Sequence, residues 1–146
     1  MDTGQKDGRL PHEAGQSFTT AFEFDEMGIS AFASAVGDTN PLHHDRAVAE
    51  RSRFGGIIAS GTHYSALMMG MVANHFSRVG EAVGLEFNFQ FKKAVPADAM
   101  MHAEWTITEV ERNDKLGGHI IHLTGTLRRD DVVHVKASGK ALAIDA

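Results

Sequence analysis

Apolar and polar residues alternate along the second half of the chain in four successive segments. In residues 85–91, leucine and phenylalanine hold every second position, with glutamate, asparagine and glutamine between them. A period of two recurs in residues 99–110, 119–129 and 132–144. Since neighbouring side chains of a strand point to opposite faces of a sheet, the pattern predicts four strands with one buried face. In the first of these strands, the buried face is predicted to consist of the leucine and the phenylalanines. The intervening turns are short, so the last three connections are predicted to be antiparallel.

The chain before residue 60 predicts one further strand and two helices. Residues 17–24 alternate well enough to form a strand. Asp25 can cap a helix whose apolar face is formed by Ile29, Phe32, Ala33 and Val36. A second, shorter helix is predicted over residues 46–52, with Asp45 as its cap.

The segment 60–76 predicts the longest helix. Its alanines, methionines and leucine leave almost no polar side, and a helix of this kind has to be surrounded by other elements. We therefore predict an α+β fold in which a curled antiparallel β-sheet wraps round a long apolar central helix. Residues 17–146 are predicted to form this single domain, and the polar residues 1–16 a flexible N-terminal arm.

Composition and charge narrow the range of functions. The chain has 146 residues, of which 42% are hydrophobic and 23% charged, as is typical of a globular domain. A net charge of −5 argues against nucleic acid as a partner. The sequence contains no cysteine, which excludes thiol nucleophiles and thiolate metal sites.

Two basic pairs stand out in this acidic chain. Lys92–Lys93 and Arg128–Arg129 are too small for a membrane-binding patch, although they could contact an anionic small molecule. No apolar segment is long enough for a membrane span or for the core of a signal peptide. These features predict a cytoplasmic protein without membrane contact.

Residues 37–45, with the sequence GDTNPLHHD, concentrate polar side chains between two predicted helices. The simple interpretation is a loop, because aspartate, asparagine, glycine and proline are common in turns. A functional interpretation uses the same residues. Pro41 stiffens the turn, so that Asp38 and His43 on its two sides could converge as an acid–base pair, and imidazole titrates near neutral pH. Spacing alone does not decide between these interpretations.

This segment carries a resemblance to a known family. The stretch GDTNPLHHDRAVAE, followed by RFGGIIASG and a long apolar helix, resembles the MaoC-like, (R)-specific enoyl-CoA hydratases of the hotdog superfamily. The hydratase motif has the pattern G-D-x-N-P-hydrophobic-H-x-D, and the chain matches each defined position from Gly37 to Asp45. The later strands follow the order of that fold, so the resemblance covers most of the chain beyond the predicted arm.

The resemblance implies a hotdog fold, usually paired as a homodimer or larger homo-oligomer in which the sheets of two subunits join. It implies a coenzyme A or acyl-carrier thioester as substrate, with no other cofactor. Asp38 and His43 would hold one water molecule for addition to a 2-enoyl double bond, or for the reverse dehydration of a 3-hydroxyacyl thioester. Which of the two is base and which is acid stays open. Asn40 would hold either the loop or the catalytic water.

The start of the long helix is the second candidate part of the site. Gly61 lies where an unpaired amide and the helix dipole could bind the thioester carbonyl oxygen, and in the resembling family a glycine at this place supplies that donor. Many hydratases have His-Gly-Met at this turn, whereas this chain has Ser60, Gly61 and Thr62, which leaves the acyl group open. Ser60 can cap the helix or contact substrate, and His63 can line the pocket or remain partly exposed.

Two other functions fit the same fold. A hotdog thioesterase would direct water to the carbonyl carbon, and a non-catalytic relative would bind acyl thioesters without turnover. The remaining histidines have no spacing typical of metal ligands, so no metal site is predicted. Two of them, His102 and His134, are predicted on outward strand faces. The methionines of residues 68–71 are interpreted as core, with lining of an acyl pocket as the alternative.

Overall fold

Helices and strands follow one another in the order that the hydrophobic pattern predicts. The computed structural model describes residues 11–146. Its elements are β1 (Ser17–Glu23), α1 (Glu26–Ala35), a 3₁₀ turn (Pro41–His43), α2 (Arg46–Arg51), α3 (Gly61–Ser77), β2 (Ala82–Phe91), β3 (Met100–Asn113), β4 (Gly118–Arg129) and β5 (Val132–Ile144). Both predicted caps are confirmed, since Asp25 accepts from the Gly28 amide and Asp45 from the Val48 amide.

Most of the predicted N-terminal arm lies outside the described residues. At its end, the Gly15 amide donates to the Ile107 carbonyl of β3 at 2.8 Å, and the Ile107 amide donates to the Gln16 carbonyl at 2.9 Å. His12 is buried against Phe76 of α3, with ring centroids 4.7 Å apart. Residues 12–16 therefore run along the domain.

The five strands of residues 11–146 form one antiparallel sheet in the order β1-β3-β4-β5-β2. Hairpins join β3 to β4 and β4 to β5, as the short turns predict. The third short connection, from β2 to β3, does not form a hairpin, because β2 pairs with β5 instead. β1 and β2 form the two edges, where they pair with β3 and β5 respectively. Between β1 and β2 the chain passes through α1, α2 and α3, and the sheet packs against α3 to form the core.

One side of α3 supplies the centre of that core. Its buried side chains are Tyr64, Met68, Met71, Val72 and Phe76. Trp105 of β3 is fully buried against this side, and its indole Nε1 donates to the Met68 carbonyl at 2.9 Å. A curled antiparallel sheet packed on a long apolar helix is thus the observed architecture, as predicted.

The prediction that α3 is surrounded is wrong on one side. Met69 keeps 41% of its surface exposed, and Ala66, Gly70 and Ala73 are exposed beside it. The sheet of one chain covers only the opposite side of the helix, so an apolar stripe remains open. No helix of residues 11–146, α3 included, is long and apolar enough to cross a membrane.

The apolar stripe of β2 is also less buried than predicted. Phe87 and Phe89 pack against the core, but Leu85 and Phe91 are 42% and 55% exposed. β2 is an edge strand, and its pairing with β5 shifts register between Gly84 and Glu86. An irregularity of this kind reorients the side chains before it relative to those after it, which accounts for the exposure of Leu85.

The prediction for His134 is wrong, because only 2% of its surface is exposed. Its ring Nδ1 donates to the Ala94 carbonyl at 2.9 Å, and burial lowers the pKa of His134 below its ordinary value. The segment after β2 covers this part of β5, where the Lys92 and Lys93 amides donate to the His134 carbonyl at 2.8 and 3.1 Å. His102 is exposed, as predicted. Alternation identifies the two faces of a strand but not whether another segment covers the outer one.

Candidate active site

The loop between α1 and α2 presents Asp38 in a defined position. Beyond the cap of α1 at Val36, Gly37 has a φ of 77°, a left-handed conformation that glycine adopts without strain. The Asp38 amide then donates to the Ala33 carbonyl at 2.8 Å. The first glycine of the motif therefore turns the chain so that Asp38 is held against the end of α1.

Asn40 organises the turn that follows Asp38. The Asn40 amide donates to Asp38 Oδ1 at 2.9 Å, and the Asn40 side-chain oxygen accepts from the Leu42 amide at 3.1 Å. Pro41 begins the 3₁₀ turn, where its fixed φ is favourable. These bonds engage Asn40 with the loop, which is one of the two roles predicted for it.

His43 lies at the end of this turn with 6% of its surface exposed. Its Nδ1 donates to the Ile58 carbonyl at 2.7 Å, since a carbonyl oxygen can only accept. In the neutral ring, Nε2 is therefore the unprotonated nitrogen. Nε2 faces Asp38 and lies 3.5 Å from Oδ2. The structure thus brings together the two residues that the motif singled out.

Each member of this pair has one atom bound to the scaffold and one atom left for chemistry. Asp38 Oδ1 is held by the Asn40 amide and His43 Nδ1 by Ile58, whereas Oδ2 and Nε2 face each other. Their separation of 3.5 Å exceeds the usual N–H···O range of about 2.7–3.2 Å. One water molecule could contact both atoms at ordinary hydrogen-bond distances. The Asp38 side chain is 33% exposed, which leaves the pair open to a substrate.

His44 is a positioning residue that sequence reasoning missed. Its Nε2 donates to the Asp38 carbonyl at 2.7 Å, and its Nδ1 accepts from the Ser30 hydroxyl at 2.7 Å. The ring thereby ties the backbone of Asp38 to α1. The available signal was the second histidine of GDTNPLHHD, but the sequence does not show which backbone atom such a ring reaches.

Helix α3 begins close to this loop. Gly61 is three positions after Ile58, the residue that holds His43, so their backbones lie within about 11 Å of each other. Ser60 occupies the capping position without a capping bond, and its buried hydroxyl accepts from Thr62 Oγ1 at 3.2 Å. Among residues 11–146, no group accepts a hydrogen bond from the Gly61 amide. An unpaired N–H at the positive end of a helix is a suitable donor to a developing oxyanion.

Phe91 lies directly beside Gly61. A Cβ atom added at Gly61 would come within 2.8 Å of the Phe91 ring, so the absence of a side chain is what permits this approach. The Phe91 ring also meets Tyr64 edge-on, with centroids 5.4 Å apart. The end of β2 is therefore adjacent to the start of α3.

His63, in the first turn of α3, packs between two aromatic rings. It stacks on Phe32 of α1 with centroids 4.3 Å apart and meets Phe24 edge-on at 5.0 Å. Burial lowers the pKa of His63 below its ordinary value, and within the described residues its buried Nδ1 has no hydrogen-bond partner. These contacts give His63 a place in the aromatic packing between α1 and α3, while contact with a substrate stays a prediction.

An apolar cavity of about 270 Å³ lies between α3 and β2. Met69, Gly70 and Val83 belong to its lining, whereas Met68 and Met71 are buried in the core. Met68 and Met71 are therefore core, as predicted, and Met69 lines the cavity on the other side of the helix. That this cavity holds an acyl group stays a prediction.

Three potential metal ligands meet on β3 and β4, outside this loop. The ligand atoms of Glu109, Glu111 and His122 lie within 4.8 Å of one another, and His122 Nε2 is 2.9 Å from Glu111 Oε1. Sequence spacing did not predict this cluster, because the hairpin register brings His122 opposite the glutamates. The hydrogen bond between imidazole and carboxylate accounts for the arrangement without an ion.

Comparison with known proteins gives a family match. A family model described as MaoC like domain matches residues 9–126. A comparison with curated proteins found no match.

Solved structures share the fold of this chain over 92% of its length. The (R)-hydratase from A. caviae involved in PHA biosynthesis has a TM-score of 0.83 at 24% identity, over 92% of this chain and 99% of that chain. The R-hydratase PhaJ1 from Pseudomonas aeruginosa has a TM-score of 0.77 at 21% identity, over 92% and 84%. The MaoC-like dehydratase from Rhodospirillum rubrum has a TM-score of 0.79 at 20% identity, over 92% and 94%. These similarities confirm the predicted hotdog fold.

Proposed function

This chain belongs to the MaoC-like domain family, and from that membership we propose that it adds water to the double bond of a 2-enoyl thioester, or removes water from the corresponding 3-hydroxyacyl thioester. One observation carries the proposal at the level of atoms. Asp38 Oδ2 and His43 Nε2 lie 3.5 Å apart without a hydrogen bond to the scaffold of residues 11–146, whereas Asp38 Oδ1 and His43 Nδ1 are held by the Asn40 amide and the Ile58 carbonyl.

In the proposed reaction, these two atoms hold one water molecule. The water oxygen bonds to C3 of the enoyl group and gives one proton to a member of the pair, while C2 takes up one proton from the pair, so that the pair carries the same number of protons before and after the reaction. The balance requires only the thioester and water, so no further cofactor or metal enters it. The tautomer set by Ile58 leaves His43 Nε2 able to accept a proton. Which member of the pair acts as base stays open.

Attack at C3 moves negative charge to the thioester oxygen, which needs a donor. We assign this role to the Gly61 amide, since it has no partner in the described chain and lies at the positive end of α3. Ser60 and Thr62 flank this amide and are the proposed determinants of the acyl group.

The ultraviolet absorbance of the conjugated thioester tests the proposed reaction. Incubation with crotonyl-CoA is expected to bleach this absorbance and to yield 3-hydroxybutyryl-CoA. Butyryl-CoA is the matched control, because it lacks the double bond and should remain unchanged. Release of free thiol from butyryl-CoA would indicate a thioesterase instead. Binding without turnover across a panel of enoyl-CoA chain lengths would indicate a non-catalytic binding protein.

We also propose that two copies of this chain pair along β2. This edge strand exposes three large apolar side chains, with Val83 50%, Leu85 42% and Phe91 55% exposed. Val83 and Met69 line the same cavity, so the surface continues onto the open stripe of α3. β1, the other edge strand, exposes serine, threonine, alanine and glutamate instead. Since unpaired apolar edges of sheets associate, β2 is the edge along which we expect the two copies to pair.

Light scattering of the purified protein tests this pairing. The parent chain should have twice the monomer mass of 15.8 kDa. The Val83→Lys/Leu85→Lys variant should have the monomer mass, because lysines on an edge strand oppose pairing. Thr19→Lys on β1 is the control and should leave the dimer intact. A monomeric parent, or a dimer that survives both lysines on β2, would contradict the proposed interface.

A further inference from the structure

A groove beside the candidate site gathers positive charge. It has a volume of about 550 Å³, and we call it the cationic groove; its lining includes Arg53, Phe54, Ile58, Lys92, Lys93 and Arg129. Residues from both of the basic pairs noted in the sequence therefore line the same groove. Lys92 and Lys93 both line it, and of Arg128 and Arg129 only the second does.

The charge of this groove is opposite in sign to that of the whole chain. Four cationic side chains from three separate segments face one carboxylate, Asp130, in a protein of net charge −5. Within residues 11–146, none of the four forms an ion pair. Like charges placed together repel one another, and an anion in the groove would relieve that repulsion.

The backbone beneath the cations is held in place. The Lys92 and Lys93 amides both donate to the His134 carbonyl, and the His134 ring donates to the Ala94 carbonyl. On the other side, Asp130 has a φ of 52° in the tight turn from β4 to β5, which brings Arg129 to the groove. Lys92, Lys93 and Arg129 thus project from fixed segments, which favours a preformed site.

The groove adjoins both parts of the candidate active site. Ile58 lines the groove, and its carbonyl holds His43 Nδ1 at 2.7 Å. Ile58 also forms a backbone bridge with Pro96, another lining residue. Phe91, whose ring lies against Gly61, directly precedes Lys92 in the chain. A ligand with its reactive end at Asp38 and His43 can therefore extend an anionic end into the groove.

Phe54 narrows the choice of anion. Its side chain is 43% exposed at the groove, between Arg53 and two glycines. An exposed aromatic ring offers a stacking surface for a nucleobase, and arginines bind phosphates by paired hydrogen bonds. Coenzyme A ends in adenine, a pyrophosphate and a ribose phosphate, whereas a carrier protein ends its pantetheine in one phosphodiester and has no base.

We propose that the cationic groove binds the adenosine phosphate end of coenzyme A, which makes coenzyme A rather than a carrier protein the carrier of the acyl group. The inference rests on the proposed function for the reactive end of the substrate. Phe54 stacks on the adenine, and Arg53, Lys92, Lys93 and Arg129 bind its phosphates.

Kinetics with a full and a truncated substrate test this assignment. The parent protein should turn over crotonyl-CoA with a kcat/KM at least about 10-fold above that of crotonyl-pantetheine, which lacks the nucleotide. Lys93→Glu/Arg129→Glu should lower kcat/KM for crotonyl-CoA by about 10-fold or more and leave that for crotonyl-pantetheine unchanged. Lys115→Glu/Arg128→Glu changes the net charge equally outside the groove and should leave both values unchanged.

A binding measurement separates this inference from the proposed reaction. Calorimetry with adenosine 3′,5′-bisphosphate needs no turnover, and the parent should bind it at least about 10-fold more tightly than the groove variant. If the charge-reversed variant loses its circular dichroism spectrum, Lys93→Gln/Arg129→Gln replaces it in both assays. Bisphosphate binding without hydration would support the groove and refute the reaction. Equal kcat/KM for both thioesters and no bisphosphate binding would overturn the groove. If the groove variants lower kcat/KM only for a crotonyl group attached to a carrier protein, the groove binds that carrier protein instead.

Discussion

Asp38→Asn and His43→Asn should each lower kcat for crotonyl-CoA by about 100-fold or more while the fold is retained. The reason is the division of atoms within the pair. In Asp38→Asn, the carbonyl oxygen can still accept from the Asn40 amide, but the side chain loses the charge at the position of Oδ2. In His43→Asn, the amide nitrogen can still donate to the Ile58 carbonyl, but nothing replaces Nε2. Both variants therefore remove the chemistry and keep the scaffold bonds.

Steady-state kinetics and circular dichroism check this prediction together. Asp45→Asn is the matched control: it removes the same charge seven residues along from Asp38, and asparagine caps a helix as well as aspartate does. It should retain parental kcat. The double variant at positions 38 and 43 should be little slower than the slower single variant, since the pair acts on one water molecule. Near-parental turnover by both single variants would exclude this pair as the catalytic one.

Gly61→Pro should lower kcat by about 100- to 1,000-fold relative to Gly61→Ala. Proline has no N–H, so this substitution removes the proposed carbonyl donor. The position tolerates it otherwise, because Gly61 is the first residue of α3 and the preceding Ser60 is extended, with φ of −73° and ψ of 147°. Alanine keeps the amide and provides the comparison.

Comparison of the two variants distinguishes the effect of losing the amide N–H from the effect of adding a side chain. Both carry a Cβ atom, which in either case has to displace the Phe91 ring by the same contact. Any loss common to the two variants reports that displacement, and the further loss in Gly61→Pro reports the amide. Thermal unfolding verifies that both variants fold. Equal kcat for alanine and proline at this position would remove Gly61 from the proposed mechanism.

Much of the fold could be predicted because its signals are local. The alternation in residues 99–144 and the helical spacing from Ile29 to Val36 each involve side chains a few positions apart. Strands β3 to β5 and helix α1 are found where these patterns predict them, although α1 ends at Ala35 and Val36, its C-cap, is 52% exposed. The caps at Asp25 and Asp45 are confirmed for the same reason, since each accepts from an amide three residues later. The predictions of burial are wrong where burial depends on whether another segment covers an element, as on the open side of α3.

The candidate site likewise combines local features, which the sequence predicts, with contacts between distant residues, which it does not. The turn from Gly37 through Asn40 to Pro41 is a local arrangement, and its residue types predict it. His44 was missed because its two partners, Ser30 and the Asp38 carbonyl, lie on either side of the end of α1. The pattern H-x-D in the resembling family leaves this position undefined, so the resemblance could not supply it.

The sequence by itself determined the elements, the loop conformation and the two side chains that the loop presents, because backbone periods, caps and a proline turn depend on residues close together in the chain. Only the tertiary structure decided which nitrogen of His43 is free, since that follows from the Ile58 carbonyl fifteen residues away. It likewise decided that Arg53, Lys93 and Arg129 face one groove. Packing sets contacts between distant segments, and no local spacing encodes which surfaces meet.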